Sequence, residues 1–421
     1  MTVNDHPLLD PARLRELFDL RSSVYASRGG AFEGDPYPAF HALRESGPVH
    51  PGTPGELVGF TGPAFFSGLP HPDRPHFTVF DYATCNEVVR DVDTFSASEH
   101  APGTEAHERE RMLLYMDGDR HKRHRTLVQS AFVPKRARWW IENWIDQTVH
   151  ALIDTFEANG KADLNVEYFA AIPLLTICGS FGIGVPDALD IRAAVTADGQ
   201  GMELFGRLVK PIIEARRIEP ADDLISVLVQ AEVDEETGDR HRLSDSEVLI
   251  FAYLLLAAGS GTTWKQLGIT MLSLLGHPVW LERVRAEPEL LRAVVEESMR
   301  WMPTDPAFGR FATRDTALHG VPIPRGAVVH VCFGAANRDP QRWERPDEFD
   351  PGRPLQANLG FGGGAHICLG MHVARAEIRT AIAALLQRLP GLRLDPDAEP
   401  PRIIGMYERG PTSVPVVWSV P

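Results

Sequence analysis

A glycine-rich stretch around Cys368 has the clearest potential for chemistry in this sequence. It reads Phe361-Gly-Gly-Gly-Ala-His-Ile-Cys-Leu-Gly370, with three consecutive glycines before the cysteine and one after it. Glycine permits positive φ angles and lets the backbone approach a flat or bulky group closely. We predict a helix from about Leu369, so a thiolate at Cys368 would lie at a helix N-terminus, which favours negative charge. Such a sulfur is a soft ligand suited to haem iron, where it promotes O–O cleavage.

An inert buried cysteine in a glycine-rich turn is the competing interpretation, and it is the usual one for a cysteine taken at random. It leaves the glycines and His366 unexplained. The other cysteines, Cys85, Cys178 and Cys332, are widely spaced, and no two cysteines form a CxxC pair. This spacing argues against a disulfide framework and a zinc knuckle, and it suggests a reducing compartment.

The cysteine stretch resembles the haem-binding loop of the cytochromes P-450. The matching positions are Phe361, Gly362, Gly364, His366, Cys368 and Gly370. The resemblance implies haem b (iron protoporphyrin IX) with Cys368 as the iron ligand, and it places Phe361, Gly362 and Gly370 against the cofactor.

Two further motifs resemble this family and follow in the family's order. Glu297-Ser-Met-Arg300 matches the E-x-x-R pair, whose spacing puts both side chains on one helix face. The resemblance adds Arg353 as a third member of a structural ion-pair cluster, because a buried pair needs further partners to offset its desolvation. E-x-x-R alone is usually a solvated helix pair, but here Asn337-Arg-Asp-Pro340 and the cysteine loop accompany it.

The haem propionates need cationic partners, and the resemblance supplies candidates. Asp117-x-x-x-His121-x-Arg123-x-Arg125 is similar to the propionate-binding helix of the family. We expect the propionates to be bound by His121, Arg125, Arg310 and His366. Arginine suits this role because its fork can hold a carboxylate bidentately. For each residue the alternative is an ordinary exposed charge.

Residues 118–138 contain seven Lys or Arg and one acid, Asp119, in a chain whose net charge is −15. We hypothesise that part of this positive face docks an acidic electron-transfer protein, because complementary fields steer association. A solvated helix face is an equally good interpretation for Lys135, Arg136 and Arg138. The acidic balance of the whole chain argues against general nucleic-acid binding.

The segment Ala258-Gly-Ser-Gly-Thr262-Thr263 resembles the family's oxygen-binding turn, in which Ala258 would face the haem and an acid–threonine pair delivers protons. Thr262 matches the threonine, but Gly261 stands at the acid position. Proton delivery would then have to use water, Ser260 or the substrate.

A long helix is predicted to carry this turn. Ser244 and Glu247 form a capping-box pattern, and Pro278 ends the helix just beyond Gly276, which gives about 32 residues or roughly 48 Å. The poor helix formers at 259–263 weaken or kink the helix, or else they simply admit a crossing helix. Further helices are predicted over 83–92, 135–158, 222–232, 290–302 and 369–389, with strands near Phe77, between 313 and 331, and at the C-terminus.

The expected fold is mainly α with small β-sheets (α+β). The resemblance specifies the triangular helical prism of the cytochromes P-450, with haem between the central helix and the cysteine loop. We expect one domain over 1–421, with 1–75 matching loosely and no fused reductase. A charged first twenty residues and a longest apolar run of 11 residues, Val248–Ala258, argue against a signal peptide or membrane span. We therefore expect a cytoplasmic, unanchored protein.

The substrate pocket is predicted to be apolar. Candidate lining residues are Met202, Phe205, Leu256, Ala257, Phe308 and Tyr407, each of which could equally be ordinary core. The lid region 186–222 is very roughly twenty residues shorter than the resemblance leads us to expect, and Gly52–Pro75 is a candidate cover.

We expect a haem-thiolate monooxygenase that inserts one oxygen atom of O₂ into a hydrophobic terpenoid, steroid or aromatic compound, with electrons from a separate ferredoxin. Two alternatives remain: a peroxide-using or non-redox haem-thiolate enzyme, which Gly261 favours, and a non-catalytic haem sensor or ligand-binding protein.

Overall fold

The computed structural model describes residues 10–21, 23–63, 71, 73–98, 112–196, 201–234 and 240–420. Helices dominate, as predicted. Within these residues the α-helices are α1 (Pro11–Leu17), α2 (Ser23–Ser27), α3 (Tyr37–Ser46), α4 (Pro54–Leu57), α5 (Tyr82–Arg90), α6 (Gly118–Gln129), α7 (Pro134–Trp140), α8 (Asp146–Asp154), α9 (Ala171–Ser180), α10 (Val185–Thr196), α11 (Gly201–Ile218), α12 (Leu224–Gln230), α13 (Asp245–Gly261), α14 (Thr263–Leu275), α15 (Pro278–Ala286), α16 (Leu291–Trp301), α17 (Phe333–Ala336) and α18 (Met371–Arg388). A π-helical turn, Ile141–Ile145, joins α7 to α8, so the predicted helix over 135–158 is nearly continuous.

The strands are short. They are β1 (Val49–Pro51), β2 (His76–Val79), β3 (Phe95–Ser96), β4 (Lys161–Asp163), β5 (Glu232–Asp234), β6 (Arg240–Arg242), β7 (Phe308–Ala312), β8 (Thr316–Leu318), β9 (Val321–Ile323), β10 (Val328–Val331), β11 (Arg393–Leu394), β12 (Ile403–Ile404), β13 (Gly410–Pro411) and β14 (Pro415–Val417). The largest sheet of the described residues has the order β1-β2-β10-β7-β3, with β10 parallel to β2 and the other pairs antiparallel.

The predicted central helix forms as α13 and α14, which meet at Thr262. Ser244 Oγ accepts from the Glu247 N–H, and the Glu247 carboxylate accepts from the Ser244 N–H at 2.8 Å, which completes the predicted capping box. At Thr262 φ is −101° and ψ is −40°, so the regular helix is interrupted there. A β-carbon at Gly259 would lie 3.4 Å from Ile177 of α9. The small residues therefore both break the helix and admit a neighbouring one.

By length and composition alone, one helical stretch among the described residues, Asp245–Leu275, could cross a membrane. The 11-residue apolar run understates this stretch, because helical apolar residues continue beyond the break. Here it packs as a core helix: Val248, Ala252 and Leu256 are fully buried, and α9, α11 and α12 pack against α13.

The cysteine loop lies between two layers that fix its position. The large apolar core of α8, α9, α13, α14, α16 and α18 lies on one side, and α18 begins three residues after Cys368. A smaller apolar cluster joins α5 to the five-stranded sheet. The region 186–222, for which a lid is predicted, contains α11 and most of α10, and the described part of the segment after Gly52 contains α4.

Candidate functional site

The loop before α18 is folded so tightly that glycine is required within it. The Cys368 N–H donates to the Phe361 carbonyl at 2.9 Å, which closes the loop on itself. Gly362 and Gly364 have φ of +69° and +63°. A β-carbon at Gly364 would lie 2.0 Å from the carbonyl oxygen of Val89 on α5. These glycines let the loop turn and dock on α5.

Cys368 differs from the other three cysteines, which are buried, because its side chain is exposed. It nevertheless lies deep enough that burial raises its pKa, whereas a hydrogen bond from the Gly370 backbone and the charge of Arg125 act to lower the pKa. A β-carbon at Gly370 would meet nothing within 4 Å, and one at Gly362 would meet nothing closer than 3.9 Å. The thiol thus faces an open space bordered by glycines, which fits a large flat cofactor.

Four basic side chains from three separate segments, α6, β7 and the cysteine loop, meet next to Cys368. The rings of His121 and His366 lie 4.2 Å apart. Arg125 Nη2 donates to the Ile367 carbonyl at 2.7 Å, beside Cys368. Arg310 is only 7% exposed, and its one hydrogen bond among the described residues is to the neighbouring Gly309 carbonyl.

This basic cluster has too few acids for its charge. Asp117 accepts from His366 Nε2 at 3.1 Å and is the one carboxylate of the described residues paired with the cluster. Burial alone would raise the pKa of Asp117, but hydrogen bonds from His366 and Ser96 outweigh burial and lower the pKa. Burial lowers the pKa of His121 to about 4 and also lowers that of Arg310.

The Nε2 atom of His121 is buried without a hydrogen-bond partner. A buried polar atom of this kind is rare unless a ligand or water completes it. The two arginines of the cluster, Arg125 and Arg310, have no carboxylate within ion-pair distance among the described residues. This donor set fits a bound anionic group such as the propionates of haem.

The interrupted helix presents residues of different exposure at the turn. Ala258 is exposed and Thr262 is half-buried, whereas Ser260 and Gly261 are buried. Thr262 Oγ1 donates to the Ala258 carbonyl at 3.2 Å, and Ser260 Oγ donates to the Leu256 carbonyl at 2.7 Å. Ala258, Gly259 and Thr262 therefore keep accessible surface, and Ala258 and Thr262 lie one helical turn apart.

The E-x-x-R motif forms the predicted cluster. Arg300 binds Glu297 bidentately, with bonds of 2.7 and 2.8 Å, and Arg353 Nε lies 3.5 Å from Glu297 Oε1. Arg300 also donates to the Asn337 carbonyl at 2.9 Å. Asn337 Oδ1 in turn accepts from the Leu359 N–H at 2.7 Å, just before the cysteine loop. The cluster thus connects α16 to the segment that carries Cys368.

The predicted pocket residues differ in burial. Phe205, Leu256 and Tyr407 are almost completely buried, whereas Met202, Ala257 and Phe308 keep accessible surface. The Tyr407 hydroxyl accepts from the Gly55 N–H at 3.3 Å, so α4 of the candidate cover contacts this region. The remainder of that cover, 64–70 and 72, lies outside the described residues.

A buried ionic cluster next to Tyr407, formed by Lys265, Glu408 and Arg28, was not predicted. Lys265 is fully buried and binds Glu408, which also binds Arg28. Asp305 belongs to this cluster electrostatically, and burial raises its pKa to about 7. A lysine within an apolar helix was the one sequence signal for this cluster, because a buried charge needs a partner.

Comparisons with known proteins agree with this geometry. The cytochrome P-450 family model matches residues 200–406. A cytochrome P-450 of Mycobacterium tuberculosis is 33% identical over 392 residues, covering 87% of this chain and 91% of that protein. The mycinamicin IV hydroxylase/epoxidase of Micromonospora griseorubida is 37% identical over 73% of this chain and 79% of that protein.

Two solved structures show the same fold over almost the whole chain. A Bacillus megaterium cytochrome P-450 in complex with testosterone has a TM-score of 0.78 at 26% identity, covering 92% of this chain and 100% of that one. A cytochrome P-450 in complex with an acyl carrier protein ligated to hexadec-9Z-enoic acid has a TM-score of 0.77 at 26% identity, covering 91% and 99%. With these matches and the Cys368 loop, the chain belongs to the cytochrome P-450 family of haem-dependent monooxygenases.

Proposed function

We propose that this protein inserts one oxygen atom of O₂ into a hydrophobic small organic molecule, using electrons from a separate ferredoxin. The observation that carries the proposal is the accessible Cys368 thiol, which lies in a glycine loop beside a basic cluster with one paired carboxylate, Asp117, among the described residues. When bound, haem supplies oxygen activation. Within the proposal Cys368 binds the iron, and the propionates are held by His121, Arg125, Arg310 and His366. We treat 1–421 as one cytoplasmic domain.

The side chains of the turn have separate proposed tasks. Ala258 leaves room beside the cofactor, and Thr262 holds a water molecule or a proton at its hydroxyl oxygen. The partly accessible apolar side chains of Met202, Ala257 and Phe308 exclude water from the substrate. The candidate substrates are terpenoids, steroids and aromatic compounds.

The experiment for this function uses the purified haem protein, a ferredoxin with its reductase, and NAD(P)H. A panel of terpenoids, steroids, aromatic compounds and mycinamicin IV is first screened for displacement of water from ferric iron. Product containing one atom of labelled oxygen from O₂ supports the proposal. Turnover with hydrogen peroxide but none with the ferredoxin system would support the peroxide-using alternative, which the missing acid at Gly261 favours. Spectral change without product in either system would indicate a sensor.

Replacing Thr262 by alanine is expected to slow product formation about tenfold and to raise the release of hydrogen peroxide. The effect is smaller than the ~10²–10⁴ of a complete acid–base catalyst, because Gly261 provides no carboxylate. Product and peroxide are measured per NAD(P)H consumed. Thr262→Ser keeps the hydroxyl and should stay near wild type. Unchanged coupling in Thr262→Ala would show that the threonine only packs.

A groove on the Cys368 side of the molecule supports docking of an acidic ferredoxin. It measures about 550 Å³ and is formed by parts of α7, α16, α18 and the segment 355–357. Three of its residues, Arg292, Arg375 and Arg379, are arginines, whereas Glu296 is its one acid. The Arg375 guanidinium lies 4.6 Å from the centre of the Phe361 ring, at the start of the cysteine loop.

The groove is a better docking candidate than the outer part of the basic segment 118–138. Arg138 is an exposed residue paired with Glu142 at 2.6 Å, and Arg136 stacks on Trp139 at 3.8 Å. These contacts match the solvated-helix interpretation of that part. Pro134 and Ala137 line the groove, so the two surfaces are continuous.

Reversing the charge of the exposed Arg292, as Arg292→Glu, is expected to raise the KM for the ferredoxin about tenfold, because steering by complementary charge changes association by 10-fold or more. The increase should shrink at high salt. Peroxide-supported turnover serves as the internal control and should not change. Arg138→Glu is the matched surface variant and should leave KM near wild type. Equal KM values for all three proteins would remove the groove from consideration.

A further inference from the structure

A buried arginine connects three elements beside the helix break. Arg192 of α10 is only 1% exposed. Its Nη1 donates to Ser260 Oγ of α13 at 3.1 Å, and its Nη2 donates to the hydroxyl of Tyr25 on α2. The guanidinium also lies 4.4 Å from the centre of the Phe18 ring. Arg192 therefore holds two hydroxyl groups in place at the turn.

This arginine has no acidic partner among the residues that the structure describes, and its Nε atom is buried without a hydrogen bond. Burying a cation without a carboxylate costs free energy, so the side chains that accept its hydrogen bonds are needed to offset this cost. Here these are neutral hydroxyls. The cation is thus arranged to orient hydroxyl oxygen atoms rather than to neutralise an acid.

Gly261 lies directly against this arrangement. A β-carbon at Gly261 would lie 3.7 Å from Arg192 Nη1 and 3.7 Å from the Tyr25 hydroxyl oxygen. A carboxylate at this position would extend into the space next to the phenol. The Tyr25 side chain is 2% exposed, so its hydroxyl approaches Gly261 from inside the protein. The phenol and the Arg192 guanidinium are therefore the two protic groups at the place of the missing acid among the contacts that the structure gives for Gly261. Of the two, only the phenol can release a proton, because a guanidinium stays protonated in proteins.

We propose that Tyr25, positioned by Arg192, passes protons to the turn at Gly261 and Thr262 in place of a carboxylate. This inference rests on the proposed monooxygenase function. The Tyr25 oxygen accepts from Arg192, so its own hydrogen can be donated, and it has no acceptor in the described part of the chain. Tyr25 is a relay residue and Arg192 is a positioning residue.

The proton balance of the relay is simple. The phenol O–H bond breaks as its proton moves to Thr262 or to a water beside it, and the bond forms again with a proton from solvent. Lys265 Nζ lies 4.4 Å from the centre of the Tyr25 ring, so the phenol ring contacts a second buried cation besides Arg192. Lys265 binds Glu408 and Glu408 binds Arg28, whose side chain is 32% exposed. The ionic cluster beside the Tyr25 ring thus reaches partly exposed surface at Arg28.

The first test is Tyr25→Phe in the haem-loaded protein with its redox system. We expect about tenfold slower product formation, less than the ~10²–10⁴ of a complete general acid because water can still deliver protons. We also expect more hydrogen peroxide per NAD(P)H and a larger solvent isotope effect on product formation. The red-shifted band of the reduced carbonyl complex should not change. Tyr168→Phe is the matched control, because it removes a buried hydroxyl that donates to the Ala381 carbonyl. This control should match wild type in all three measurements.

The second test introduces the missing acid and has a readout independent of activity. Gly261→Asp should pair with Arg192 and raise the thermal unfolding midpoint of the purified protein, and the increase should vanish in an Arg192→Met background. In the Tyr25→Phe background, Gly261→Asp should also restore coupling. Either the absence of any Arg192-dependent stabilisation or a Tyr25→Phe variant indistinguishable from wild type would overturn the relay. A wild-type protein that forms no product with any electron source overturns the proposed function itself, and the relay with it.

Discussion

Serine in place of Cys368 is expected to abolish the red-shifted absorption of the reduced carbonyl complex and to lower product formation by more than about 100-fold. Outer-shell partners of a metal are typically worth 10–100-fold in affinity or activity, so loss of the ligand itself should exceed that range. Serine keeps the size of the side chain but not the soft, electron-donating sulfur that promotes O–O cleavage. The measurement is the difference spectrum with carbon monoxide, together with haem content and turnover.

The control for this prediction is Cys85→Ser. Cys85 is fully buried, and its sulfur contacts the Val79 carbonyl at 3.4 Å, so a serine hydroxyl could keep that contact. The red-shifted band should survive in Cys85→Ser. If Cys368→Ser retained the band, the assignment of the iron ligand and the proposed function would both be wrong.

The local motifs of this chain were predictable because their residues lie close together in sequence. The partners in the capping box, Ser244 and Glu247, and in the ion pair, Glu297 and Arg300, are three positions apart, and both interactions form as predicted. The helix break at Thr262 was predictable as well, because glycine and threonine weaken a helix regardless of its neighbours. The resemblance to the family then gave the overall arrangement that these local signals could not.

Contacts between distant residues were not predictable from spacing. Tyr25 and Arg192 are 167 residues apart, and Lys265 and Glu408 are 143 residues apart. Nothing in the sequence says that a tyrosine near the N-terminus approaches Gly261, because that contact depends on how α2 and α10 pack on α13. The roles of Thr262, the basic cluster and the pocket residues stay predictions for a different reason. The fold gives the positions of these side chains, whereas their roles in binding and proton transfer are properties of the loaded enzyme.

Loss of the Glu297 carboxylate is expected to be the most destabilising single change outside the cysteine loop. Glu297→Gln leaves Arg300, which is 1% exposed, and Arg353 without a buried anion. Breaking a buried ion pair by removing one partner costs about 3–5 kcal/mol. The Asp350 N–H, which donates to Glu297 at 2.9 Å, would also meet a weaker acceptor. Chemical unfolding of the purified protein measures this loss. Weaker haem retention should accompany it, because Arg300 binds the Asn337 carbonyl, and the Asn337 side chain accepts from the Leu359 N–H just before the cysteine loop.

The neighbouring residue provides the matched control, because Glu296 also binds an arginine bidentately. Its partner Arg375 lies at 2.5 and 2.8 Å, but both side chains keep more than a fifth of their surface exposed. Solvent screens such a pair, so Glu296→Gln should cost no more than about 1 kcal/mol. The contrast between the two variants tests burial rather than charge, because each removes one carboxylate from the same helix. Similar unfolding free energies for Glu297→Gln and wild type would mean that the arginines find other partners, and that the E-x-x-R cluster does not stabilise the loop that carries Cys368.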